Sequence, residues 1–178
     1  MLGKYSTELR SSCVDMNPRI TTLLSTHRQL HCWSCSASAH EFLGKLHGKV
    51  GDSDSPLQNL SSSQKGGFQF ESFLNSIGFT GKDSHELPKD AVTLLLAEVT
   101  QGRFPLVSVL AGVGTSSTDW HIVVAVPVNS GGVALVDPAT QTVLASDSAD
   151  TLRVFEQTTN AVPGRPKIHV LTYSTYKP

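Results

Sequence analysis

Apolar residues recur at clear helical spacing first at Ala39, Phe42, Leu43, Leu46 and Val50, while Glu41, Lys45 and Lys49 fall elsewhere. This pattern predicts a helix from about Cys35 to Lys49, ended by Gly48 and Gly51. Residues 1 to 28 are polar and weakly patterned apart from Pro18 and the Leu23-Leu24 patch, and read as an arm leading into the core. The stretch from Gly51 to Gly67 is rich in Ser, Asp and Gly and reads as a loop over the surface. Two further helices are predicted. One is Phe68 to Gly78 with a glycine stop, the other Pro88 to Gln101 with Ala91, Leu94, Leu95, Leu96 and Val99.

From there the period changes to that of strands. Phe104 to Leu110, His121 to Val128 and Val133 to Val136 are rich in valine and leucine and bounded by Gly, Ser, Asn and Pro. The short connection Asn129 to Gly132 predicts an antiparallel hairpin between the last two. A helix near Asp147 to Gln157 and a strand at Lys167 to Tyr173 complete the pattern. Helices first and an antiparallel sheet afterwards define an α+β class. No internal repeat is visible.

Length and composition narrow this picture. The 178 residues suit one domain, with 39% hydrophobic and 16% charged residues and a formal net charge of −1. The 14 Lys and Arg are scattered, so no basic face for nucleic acid and no polybasic membrane anchor is expected. The apolar runs Val107 to Val113 and Ile122 to Val128 are far too short to span a membrane. The opening MLGKYSTELR lacks the apolar core of a signal peptide. The odd set Cys13, Cys32 and Cys35 leaves at least one thiol free, and reducing surroundings are the simplest reading.

Between Gln29 and Ala39 the chain reads QLHCWSCSASA, two cysteines running into small residues able to start a helix. A cysteine at a helix N-terminus has its thiolate stabilised by the dipole and free N–H groups, which can also hold an oxyanion. Downstream, Trp120-His121 opens an apolar run and Asp137-Pro138 closes the next one. Cysteine, histidine and aspartate in that order suggest a nucleophile, a base and an orienter. Each alone has an ordinary alternative: a free cysteine fills cores, and Asp-Pro ends strands. Cys32-x-x-Cys35 could also be half of a zinc site with His27, His31 or His40, but a second clustered pair is missing. A redox motif would need a strand before it, and the segment before Gln29 is a poor one. No metal and no cofactor is therefore expected. His47, His85 and His169 read as surface or edge residues, and Cys13 as incidental.

Residues 23 to 138 resemble the papain-like cysteine peptidases. Gln29 precedes Cys35 by six residues, the spacing of that family's oxyanion glutamine, within a Q-x-x-C-x-S-C pattern. Phe68 to Gly78, the helix at Pro88 to Gln101, RFPLV and DWHIVVAVPVNSGGVALVDPAT look like the bacterial branch of double-glycine leader peptidases and avirulence proteases. The resemblance implies a papain-like catalytic domain over residues 29 to 178, with His121 as base, Asp137 as orienter and Gln29 in the oxyanion hole. Two nucleophiles remain. Cys32-Trp33 resembles the family's Cys-Trp, whereas Cys35 has the glutamine spacing and the apolar stripe, and is favoured. The resemblance further implies peptide hydrolysis of a protein substrate through a thioester, in a bacterial effector or toxin domain. Such a domain would be secreted by a specialised system without a signal peptide, act in the target-cell cytoplasm and meet a cognate immunity or inhibitor protein. Deamidation or transglutamination by the same thioester, or a catalytically dead peptide-binding domain, are the competing expectations.

Overall fold

The computed structural model describes residues 15–30, 35–60, 67–86, 90–110, 120–160 and 172–178. Five helices and six strands are described: α1 (Pro18–Thr26), α2 (Cys35–Leu46), α3 (Gly67–Ser76), β1 (Thr80–Glu86), α4 (Ala91–Thr100), β2 (Leu106–Leu110), β3 (Trp120–Val128), β4 (Gly132–Asp137), β5 (Thr142–Ala145), α5 (Ser148–Asn160) and β6 (Thr172–Lys177). The strands form one sheet in the order β1-β6-β2-β3-β4-β5, with every neighbouring pair antiparallel. The expected α+β class is observed, as is the β3–β4 hairpin.

Alternation along β3 and β4 gives the sheet two apolar faces. Val124, Val126, Val128, Ala134 and Val136 pack with Ile20, Leu23 and Leu24 of α1, Phe42 and Leu43 of α2 and Leu74 of α3. Val123, Ala125, Val133 and Leu135 pack with Ala91, Leu95 and Val99 of α4 and Phe155 of α5. Helices therefore lie on both faces. β3 at the centre is buried on both, which explains its nearly continuous apolar run.

Several expectations need correction. Residues 18–26 are no arm but a helix whose Ile20, Leu23 and Leu24 are core residues. Asn17 caps it, its side chain accepting from the Arg19 N–H at 2.9 Å, and Pro18 takes the first turn, where its missing N–H costs nothing. α2 stops at Leu46 and turns at Gly48, whose φ of +67° suits glycine. Its polar side is also covered: Glu41 and Lys45, expected off the buried stripe, are 0% and 2% exposed. Gly44 lets the chain after α2 fold back closely, because a Cβ there would stand 2.6 Å from Val50 Cγ2. The segment after α2 is not purely a surface loop, since Leu57 and Gln58 are buried. β1 and β5 were not expected. The last strand comes later than Lys167 to Tyr173, at Thr172–Lys177, and residues 167–171 of that expectation, including His169, lie outside the described set. Among the described residues no helix is long and apolar enough to cross a membrane.

Candidate functional site

Three of the five singled-out residues come together at one end of the sheet. Cys35 is the first residue of α2, half-buried and a free thiol. His121 is the second residue of β3 and Asp137 the last of β4. In the β3–β4 register Val124 faces Val136 and Ala125 faces Leu135. Continued one step, that register sets Val123 against Asp137, so His121 and Asp137 are diagonal neighbours on the same side of the hairpin. His121 Nε2 lies 2.9 Å from Asp137 Oδ2. The nitrogen is shielded from solvent without a straight hydrogen bond, so the contact is an ion pair more than an aligned one. With Nε2 turned to the carboxylate, Nδ1 is the ring atom left to meet the Cys35 thiol, to which the imidazole is hydrogen-bonded.

The electrostatics follow from these contacts. The Cys35 thiol is held below its ordinary pKa, first by the hydrogen bond with His121. Partial burial opposes this, and the N–H groups of Ile122 and Ser36 assist it. For His121, burial disfavours the charged ring, yet the pairing with Asp137 and Cys35 outweighs it and pushes the pKa up to about 10. Burial alone would raise the Asp137 carboxyl, but His121, the Thr140 hydroxyl and the Ala139 N–H hold it below the usual range. Thr140 Oγ1 donates to Oδ2 at 2.7 Å and the Ala139 N–H to Oδ1 at 2.9 Å, so the turn after β4 orients the carboxylate. The result favours a thiolate and an imidazolium in contact, the arrangement of an activated sulfur nucleophile.

A cavity of about 210 Å³ adjoins the pair, lined by Ser36, His40, Phe70, Ser108, Ile122 and Tyr176 among others. Ser36 follows Cys35 and Ile122 follows His121, so the cavity wall includes the chain neighbours of both. His40 is locked on this wall. Its Nδ1–H donates to the Ser36 carbonyl at 2.7 Å, Nε2 lies 3.4 Å from the Tyr176 hydroxyl, and its ring stacks on Phe70. Burial pushes its pKa down to about 4.

Gln29 sits half-buried between α1 and α2, and Cys13, His31 and Cys32 lie outside the described residues. Of the zinc ligands weighed above, His27 shares a 2.9 Å hydrogen bond with Ser38 Oγ through Nε2, and His40 is held as described. His47 is partly buried, with Phe79 and Phe104 edge-on to its ring. The sequence reading missed Thr140, although an Asp three residues before a Thr in an Asp-Pro turn is a recognisable side-chain capping signal. It also missed Glu41, Gln58 and Gln141, for which no signal exists in the sequence. No known protein family matches this chain, and no characterised protein matches it.

Proposed function

We propose that the chain is a papain-like cysteine peptidase that hydrolyses a peptide bond in a protein substrate through a thioester acyl-enzyme. The observation that carries this reading is the contact of Cys35, at the start of α2, with His121, itself 2.9 Å from Asp137. In this reading the Cys35 thiolate attacks the scissile carbonyl, forming the C–S bond. The oxyanion is met by N–H groups at the start of α2 and by the Gln29 side chain. The His121 imidazolium delivers its proton to the departing amine as the C–N bond breaks, and the thioester remains. Neutral His121 then takes a proton from water, whose oxygen attacks the thioester and restores the thiolate. Asp137 keeps the ring oriented and its charge balanced throughout.

By its resemblance to the avirulence and leader-processing enzymes, the domain is a bacterial effector or toxin exported by a specialised system into a target cell's cytoplasm, and its producer holds a cognate immunity protein. The test is direct. A thiol-directed peptide electrophile should label the wild-type protein and fail to label Cys35→Ala, while Cys32→Ala keeps labelling. A lysate treated with wild-type protein should gain new peptide N-termini that the Cys35→Ala lysate lacks. Labelling that survives Cys35→Ala would sink the assignment of the nucleophile. Mass gains of about one dalton at glutamines without new N-termini would replace proteolysis by deamidation.

A further inference from the structure

Gln58 lies in the segment that follows α2 and is 0% exposed. Its hydrogen bonds converge on one short stretch of chain. Nε2 donates to the Arg28 carbonyl at 2.9 Å, and Oε1 accepts from the Leu30 N–H at 2.7 Å. Arg28 and Leu30 flank Gln29. In extended chain, the C=O of one residue and the N–H of the residue two further on point to the same edge. A primary amide offers one donor and one acceptor side by side, so Gln58 pairs with that edge as a neighbouring strand would. Gln29 is thereby gripped on both sides.

The grip is anchored to the helix that begins at Cys35. Glu41 of α2, also 0% exposed, accepts from the Gln58 backbone N–H through Oε1 and from Nε2 through Oε2, both at 2.7 Å. A carboxylate withdrawn from water is costly unless its oxygens are satisfied, and apolar packing would hold a plain loop more cheaply. Two more ties bind the stretch to the site. His27 bonds Ser38, one turn beyond Cys35, and Gln141 Nε2 in the turn after Asp137 donates to the Ser25 and His27 carbonyls.

We propose that the Glu41–Gln58 pair is a positioning device that sets Gln29, relative to the first turn of α2, for its role in the oxyanion hole. The proposal rests on the peptidase reading above and deepens it. Gln58 touches no reacting atom and acts through Gln29.

Two reactions of Cys35 separate this from a merely structural role. Alkylation by iodoacetamide needs the thiolate and forms no tetrahedral oxyanion, whereas turnover of p-nitrophenyl acetate needs both. In Gln58→Leu, the alkylation rate and its pH profile should stay within about twofold of wild type, while ester turnover falls about 10²-fold in kcat with little change in KM. Gln29→Ala should show the same pattern, and the double variant should be no worse than Gln29→Ala. Glu41→Gln keeps one acceptor for Gln58 and serves should Gln58→Leu fail to fold; its expected loss is about tenfold in kcat, again with alkylation intact. Losses that multiply in the double variant, or alkylation that falls in step with turnover, would overturn the proposal. A wild-type protein without Cys35-dependent ester turnover is a separate result: it removes the peptidase reading, and this proposal with it.

Discussion

The two sides of the sheet are built from different materials. Toward α4 and α5 the core consists of Ala, Val, Leu and Phe, with the buried Thr151 donating its hydroxyl to the Val133 carbonyl. Toward α1, α2 and α3 an apolar core of similar kind is shot through with buried polar groups: His27, Ser38, His40, Glu41, Lys45 and Gln58. The first side is a packing solution that many sequences could supply. The second places directional contacts around the helix that starts at Cys35, and such contacts specify positions more than they add stability. The difference teaches where precision is kept in this molecule: in the layer that holds Cys35, while the opposite layer supplies a stiff backing.

The largest effect should come from the pair itself. His121→Ala should lower turnover by about 10³-fold and move the pH profile of Cys35 alkylation upward, because the hydrogen bond from His121 is the main cause of the depressed thiol pKa. The opposite layer should respond in stability alone. Leu95→Ala, at a fully buried position of α4, should cost about 2–5 kcal/mol in chemical denaturation and leave turnover per folded molecule unchanged. If activity fell out of proportion to the folded fraction, the division between backing and machinery would fail.

A smaller effect is expected at Thr140. Thr140→Val removes one hydrogen bond to Asp137, worth about 1 kcal/mol, and should lower turnover several-fold while bringing the alkaline loss of activity to a lower pH than in wild type. The sign is set by His121. Its raised pKa keeps the imidazolium as pH climbs and loses it through about 10, and a less well-held Asp137 brings that loss earlier. The gentlest contrast is acid sensitivity. His27 and His40 are held neutral, both pushed down to about 4 chiefly by burial. Their contribution to stability is complete above the ordinary histidine value near 6.5 and is lost as pH falls toward 4. Hydrogen exchange should therefore lose protection in α1 and α2 between about pH 6.5 and 4.5, before α4 and α5. Uniform loss across both layers would contradict this.

What could be read in advance also divides along physical lines. The central strands β2, β3 and β4 are buried on both faces and announce themselves as valine-rich runs. The edge strands β1 and β5 do not: TGKDSHE has no apolar alternation and TVLA is short. α1 carries a legible start in Asn17-Pro18, but its buried residues are too few to reveal the period. At the site, the order of Cys35, His121 and Asp137 is visible because strand ends and helix starts are where such groups sit. Glu41, Lys45 and Gln58 look in sequence like any solvated positions, and only the fold reveals that water has been excluded from them.

The place of β6 has a consequence in time. Residues 172–177 do not trim an edge of the sheet; β6 lies inside it, between β1 and β2. β2 through β5 are adjacent in both sequence and space and can zip in the order of synthesis. β1 must wait, from residue 80 onward, for a partner made almost at the far end of these residues. Bringing such distant segments together is slow because loop-closure entropy precedes any reward. Until residues 172–177 have been made, β1 lacks the strand it pairs with and one edge of β2 stands open.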